Sequence, residues 1–305
     1  MIDLNLILTF IEVAKTKNLR LAARDMAVSQ PALSQRIKAL EDQVGKSLFL
    51  RRAGMELNST GKEFYLICED YAKNIELIDG WVHAQKGAVA GTVCITTTYG
   101  PVGYIFPNFL KSFLNKYRDI RVHCTSVNTT PMVEDEVLSG KTELGMIVGP
   151  CQKPSLKTQI LLKNNKLLMV CSPDYPLAKK KKISKDNLCQ ARILVHSGKD
   201  SRTQRNIFKQ LKMEPSEFSD ILRLPDMESC KTHALIGVGA SFVANLYVYK
   251  DIKAGKLVAL PGFTMNPAIN LISRNEKYIS PAVTIFKNEF VKYCRKLDEE
   301  LAVSY

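Results

Sequence analysis

The sequence predicts an all-α head, a long linking helix and an α/β body of two lobes. Three patterns carry that prediction. Leu33, Ile37, Leu40 and Val44 recur at spacings of 4, 3 and 4, which is one buried helical stripe. Phe64, Ile67, Tyr71, Ile75, Ile78 and Val82 then recur at 3, 4, 4, 3 and 4, an approximate heptad seam. Past a hinge at Gly87 and Gly91, strand-like runs alternate with helical ones, which predicts parallel sheets. A chain of 305 residues should hold two or three domains and can bury an ample core.

The head begins with a helix whose apolar face is Leu4, Ile7, Phe10, Val13 and Ala14. Ala22 and Ala23 let two helices approach closely, and Met26 and Val28 close the apolar side of a turn. Ser29 is a plausible N-cap, and Pro31 lies in the first turn, where its missing N–H costs little. Opposite the stripe the same helix carries Gln30, Ser34, Gln35 and Lys38, with Arg36 on its flank. Such donors and acceptors read base edges and grip phosphate. A basic hairpin with Arg51 and Arg52 follows, so the layout is a winged helix-turn-helix. Arg51 and Arg52 would grip backbone or probe the minor groove.

The run AARDMAVSQPALSQRIKALEDQVGKSLFLRR resembles the N-terminal domain of the LysR-type transcriptional regulators. Ala22, Ala23, Ser29, Gln30, Pro31, Ala32, Ser34, Ile37, Leu40, Glu41, Gly45, Leu48, Phe49 and Arg51 match in one ungapped register. The likeness is strong to about residue 65 and looser afterwards, through Gly91-Thr92-Val93, Ile105-Phe106-Pro107, Leu138-Ser139-Gly140, Pro176-Leu177-Ala178 and Gly237-Val238-Gly239. It implies a winged helix-turn-helix over residues 1–58 and a linker helix over 59–87 that pairs two subunits. The body, 88–305, would be an effector domain of two lobes similar to periplasmic solute-binding proteins, the second lobe spanning about 164–266. Two departures stand out. Arg20 replaces the family's usual hydroxyl at the start of the second helix, losing a cap but offering a phosphate contact. Ser34-Gln35-Arg36-Ile37 replaces the frequent Ser-Arg-Gln-Ile, which turns the arginine about 100° around the helix.

The linker helix should start at Asn58, a good N-cap, and Gly80 within it should weaken it by about 1 kcal/mol relative to alanine. Its seam Phe64, Ile67, Tyr71, Ile75, Ile78 and Val82 would bury against a second copy, or else against the chain's own body. In the body, strands are expected at Val93–Thr97, Ile120–Val127, Glu143–Val148, Leu167–Ser172, Ile193–His196, Leu222–Leu224, Ser241–Ala244 and Ile269–Arg274. Helices are expected at Pro107–Tyr117, Met132–Ser139, Ser201–Leu211, Glu228–Ile236 and Pro281–Leu301, the first with Phe109, Leu110, Phe113 and Leu114 inward.

Fold analogy puts the effector in the cleft, at strand ends and helix N-termini, where free N–H groups favour anions. Thr98, Tyr99 and Gly100, Asn128, Thr129 and Thr130, and Lys199, Asp200, Ser201 and Arg202 would line it. Hydroxyls with two cations suit a carboxylate or similar small anion. Each segment has a plainer reading: Asn128 to Thr130 and Ser201 as caps, Arg202 as surface. Phe242 either walls the cleft or fills the core.

Lysine and arginine outnumber acids 43 to 30, a net charge of +13 that suits a polyanion. Lys179–Lys182 reads as an exposed loop before a helix start at Ser184, with a second DNA contact as the alternative. Eight scattered cysteines without CxxC, the lack of a secretory start and of any long apolar span predict a reduced, cytoplasmic protein. One branch of the family senses oxidants through a cysteine pair, but Val195–Arg205 contains no cysteine. His83, His123, His196 and His233 sit apart from any catalytic partner; no P-loop, HExxH or strand-borne GxGxxG occurs. No catalytic residue, metal or cofactor is expected. The expected partners are double-stranded DNA bearing an inverted repeat, a small anionic effector, one or three further copies of the chain, and RNA polymerase. The competing reading is an architectural DNA-binding protein that uses its body only to oligomerise, with Tyr99, Tyr104 and Phe242 plugging the cleft.

Overall fold

The computed structural model describes residues 3–50, 55–85, 89–196, 202–276 and 278–303. The chain divides into two units, Met1–Gly87 and Ala88–Tyr305. The first holds α1 (Leu4–Thr16), α2 (Leu19–Asp25), α3 (Gln30–Val44) and α4 (Ser59–Gln85). Phe10, Val13, Ala22, Leu33, Leu40 and Leu48 form its fully buried centre. The inward face of α1 differs from expectation at three positions. Leu4 is exposed, while Leu6 and Ile11 are buried, because the head covers α1 along a broader arc than one stripe.

Every helix start in this unit is satisfied locally. Asp3 accepts from Asn5 N, and Ser29 Oγ accepts from Ala32 N at 3.3 Å. The hydroxyl missing at Arg20 costs no cap, contrary to expectation: Asn18 Oδ1 accepts from Arg20 N at 2.9 Å and Leu21 N at 3.1 Å. Ala27, at φ 53°, makes the tight turn between α2 and α3, and Val28 N returns to Ala23 O. Asn58 caps α4, accepting from Gly61 N at 2.8 Å, and its Nδ2 donates to Ser47 O at 2.6 Å.

The body runs β1 (Gly91–Thr98), α5 (Tyr99–Lys116), β2 (Ile120–Val127), α6 (Thr130–Leu138), β3 (Leu144–Val148), β4 (Leu156–Leu162) and β5 (Leu167–Cys171). It continues α7 (Lys185–Gln190), β6 (Arg192–His196), α8 (Arg202–Leu211), β7 (Asp220–Leu224), α9 (Met227–Leu235) and β8 (Ala240–Ala244). It ends α10 (Asn245–Lys253), β9 (Val258–Met265), β10 (Ile269–Arg274) and α11 (Pro281–Val303). Two five-stranded sheets result, ordered β2-β1-β3-β10-β4 and β7-β6-β8-β5-β9.

These sheets are mixed, not parallel. β10 runs antiparallel to β3 and β4, and β5 antiparallel to β8 and β9. The cause is the double crossover: β4 passes into β5 and β9 into β10, so each sheet receives a strand from the other lobe. Buried amides bind the crossovers together. Asn245 exchanges bonds with Asn164 O and Lys166 N, Asn164 N donates to Asp298 Oδ1 at 2.7 Å, and Asn165 Nδ2 donates to Pro267 O at 2.8 Å.

Three elements lie outside the sequence reading: β4, α10 and β9. Helix α5 also begins at Tyr99 rather than Pro107, and the proline sits inside it. A mid-helix proline removes one backbone bond and crowds the carbonyl one turn back, a cost offset by burial of Ile105 and Phe106, which fix the preceding turn against the core. Leu114 is exposed, whereas Phe109 and Phe113 are buried.

Candidate functional site

On α3, the buried Leu33, Ile37 and Leu40 fix which face turns outward. That outward face presents Gln30, Pro31, Ser34, Gln35 and Lys38, all exposed, with Arg36 half-buried on its flank. Gln30, Ser34 and Lys38 form one row at i, i+4, i+8. Ser29 is exposed, but its hydroxyl oxygen is engaged as the cap. Arg51 and Arg52 lie outside the described residues. The arms that carry them are fixed at their base: Phe49 pairs with Leu57, and Leu50 N donates to Glu56 O at 2.7 Å. Glu41, which sequence reasoning gave no role, organises that base. Its Oε1 accepts from Leu48 N at 2.7 Å and Ser47 Oγ at 3.1 Å. A Cβ on Gly61 would meet Leu48 O at 2.1 Å, so only glycine lets α4 leave beside the wing.

The seam on α4 splits. Phe64 packs into the head, its ring 5.2 Å from Phe10, and Ile75 is half-buried. Ile67 (72%), Tyr71 (45%), Ile78 (61%) and Val82 (38%) are exposed, joined by Leu66 and Trp81.

In the first lobe, Thr98 ends β1 in register with Val127 of β2. Two helices therefore start side by side at strand ends, α5 after Thr98 and α6 after Thr129. Both threonines occupy the N-cap with extended backbone, and neither hydroxyl makes a cap hydrogen bond. Both helix starts thus lie at neighbouring ends of the paired strands β1 and β2. Asn128 is exposed, and Thr130 and Gly100 are half-buried beside it. The side chain of Tyr99 lies outside what is described, as do Lys199, Asp200, Ser201 and the side chain of Arg202.

The second lobe answers differently. Asp226 caps α9, accepting from Ser229 N at 2.7 Å, so that helix start already holds a carboxylate. His196, at the end of β6, is in register with Leu224, and burial lowers its pKa. Phe242 is in the core of this lobe, 4% exposed, its ring 4.5 Å from Phe263.

A polar bridge that the sequence does not announce joins the lobes. Tyr104 of α5 packs its ring, tilted, against Tyr247 of α10 at 4.3 Å and donates its hydroxyl to Glu228 of α9. Lys231 donates to Tyr104 Oη at 3.1 Å and pairs with Asp251 at 3.2 Å. Burial and the neighbouring carboxylates raise the pKa of Tyr104, keeping it a donor. Tyr247 Oη also fills the space beside Gly100, where a Cβ would lie 1.7 Å from it. These partners are more than a hundred residues apart in the chain, so no local pattern could have found them.

Burial pushes the thiols of Cys68, Cys171 and Cys230 up to about 11, which leaves them protonated at neutral pH. Among the described residues, no group of three His, Cys, Asp or Glu side chains could hold a metal, and no helix is long and apolar enough to cross a membrane.

Comparison with known proteins gives this architecture a family. Residues 4–62 match the bacterial regulatory helix-turn-helix protein, lysR family, and residues 86–295 match the LysR substrate binding domain. The chain is 28% identical over 287 residues to a probable RuBisCO transcriptional regulator of Trieres chinensis, covering 91% of this chain and 92% of that one. Its fold is similar to an OxyR cysteine mutant of Corynebacterium glutamicum, with TM-score 0.67 at 19% identity over 100% of this chain and 96% of that one. It is also similar to full-length CbnR, solved with its target DNA, with TM-score 0.63 at 21% identity over 96% and 99%. The chain belongs to the LysR family of transcriptional regulators.

Proposed function

We propose that this regulator binds a specific inverted-repeat operator through α3, and that a small anion held between the two lobes changes those contacts. The observation that carries the first half is the exposed row Gln30, Ser34 and Lys38 with Gln35 beside it, set on a helix whose other face is fully buried. Amide and hydroxyl groups at that spacing can reach successive base edges in a major groove, while Arg36, Arg51 and Arg52 serve phosphate or the minor groove. A two-fold operator requires at least two copies. The exposed Ile67, Tyr71, Ile78 and Val82 on α4 supply an apolar stripe for pairing, in a dimer or a tetramer.

The second half rests on Thr98 and Thr129. Two neighbouring helix starts with unspent hydroxyls and free N–H groups favour a carboxylate or phosphate. Thr130, Asn128, Gly100 and Tyr99 belong to the same segments, and Lys199, Asp200, Ser201 and Arg202 would meet the ligand from the other lobe. Binding alters transcription only if the anion favours one lobe or subunit arrangement over another. RNA polymerase is then the partner that reads the altered complex.

A DNase footprint of the full-length protein on the DNA flanking its own gene, at near-physiological salt, tests the reading. A protected stretch with internal two-fold symmetry is expected. Salt-sensitive binding without any protected stretch on that or other promoter DNA would favour the architectural alternative.

A further inference from the structure

Lys179, Lys180, Lys181 and Lys182 are exposed, and among the described residues none of them enters an ion pair. The fold adds three more lysines to the same face. Lys185 lies three residues beyond Lys182, within about 11 Å along the chain, and its Nζ donates to Lys212 O at 2.7 Å. Lys212 N in turn donates to Lys209 O at 3.2 Å, one helical turn back on α8. Lys209 and Lys212 are exposed as well. Seven lysines from the loop before α7, from α7 and from α8 thus share one surface of the second lobe. The nearby acids, Asp186, Glu214 and Glu217, offset the seven lysines only in part.

We infer that this surface is a second, sequence-independent contact for the phosphate backbone of double-stranded DNA. The inference rests on the regulator reading above, since it needs DNA already held by α3. Compact ammonium groups on flexible stems, without interleaved aromatic side chains, fit phosphate rather than exposed bases. The lysines are spread over three segments, and the Lys185 side chain ties α7 to the end of α8, so the charge is not confined to one loop.

The test is a salt titration of binding to a random-sequence duplex of about 60 base pairs, long enough to include flanking contacts. The full-length protein is compared with a variant carrying K179Q, K180Q, K181Q and K182Q, and with a charge-matched control carrying K111Q, K163Q, K253Q and K256Q. Each phosphate contact contributes about 0.9 to the slope of log K against log salt, so the first variant should lower the slope by roughly 2 to 4 while the control keeps the wild-type slope. Equal slopes for all three proteins would overturn the inference. Equal reduction in both variants would overturn it too, by assigning the effect to net charge. Wild-type DNA binding with altered transcription by purified RNA polymerase would overturn it in favour of an acidic protein surface. Loss of all DNA binding by the wild-type protein would instead sink the regulator reading itself.

Discussion

The two lobes of the body are topological twins with opposite chemistry. In strand order, β2-β1-β3-β10-β4 repeats as β7-β6-β8-β5-β9, and every parallel or antiparallel pairing has its counterpart. Yet the one pair of equivalent helix starts described in both lobes, after β2 and after β7, differs. In the first lobe Thr98 and Thr129 leave their hydroxyls unspent. In the second, Asp226 places a carboxylate where an anion would otherwise sit. The topology sets out the crevice, and the residue at the N-cap decides what charge it accepts. The cores differ as well. The first lobe packs Phe106, Phe109, Phe113, Phe286 and Phe290 into one aromatic cluster, while the second uses separate pairs, Phe208 with Phe218 and Phe242 with Phe263.

The sharpest way to break this contrast is to open each core. Phe290→Ala and Phe242→Ala should each lower unfolding stability by about 3–5 kcal/mol in denaturant melts. Neither should change small-anion affinity, because neither ring belongs to the helix starts. A tenfold affinity loss in Phe242→Ala would return that ring to the cleft wall.

Exchanging the caps tests the contrast directly. Asp226→Ala should cost about 1 kcal/mol of stability and leave carboxylate or phosphate binding intact. Thr98→Ala with Thr129→Ala should do the reverse: stability within about 0.5 kcal/mol, and anion affinity down roughly tenfold for two lost hydroxyl contacts. Calorimetry with a panel of small carboxylates and phosphates reads both. The opposite pattern would place the anion in the second lobe.

Between the lobes, Tyr104→Phe removes the hydroxyl that Glu228 accepts and Lys231 contacts. The expected loss is about 1 kcal/mol, with faster hydrogen exchange in the first turns of α5 and α9. Unchanged exchange there would mean that the bridge does not hold the lobes together.

The smallest effect is titration of His196. Burial holds its pKa below 6.5, with Asp226 pulling the other way. Above 6.5 the imidazole is neutral in folded and unfolded chains alike, and stability at this site is whole. As pH falls below 6.5 the unfolded chain takes up the proton first, so stability declines until the folded-state pKa is passed and then levels off. His196→Gln should flatten that part of the stability–pH profile, and an unchanged profile would assign the decline to other groups.

How much of this was legible in the sequence depends on how far apart the partners lie. The stripe Leu33, Ile37 and Leu40 predicts the outward face of α3 because both faces are written within fifteen residues. Asn18 could have been found as the cap of α2 from the same stretch, once a substitute for the hydroxyl missing at Arg20 was sought two residues upstream. Most strands of the body show as apolar runs. β4 does not, because it is an edge strand with Lys157 to Ile160 exposed. Pro107 misled because a proline reads as a helix start, and only burial of the turn before it shows otherwise. Mixed sheets and the Tyr104–Glu228 bridge depend on crossovers that no local period encodes. The unspent state of Thr98 and Thr129 is likewise invisible, since the same residues in sequence look like ordinary caps.

The central claim is that α3 reads base edges, and Gln30→Ala tests it most directly. Binding constants of wild type and variant would be measured by titration against the footprinted operator and against a scrambled duplex at one salt concentration. Operator affinity should fall by about 1–3 kcal/mol with scrambled-DNA affinity unchanged, so that specificity relaxes. An equal loss on both duplexes would contradict it and make Gln30 a backbone contact.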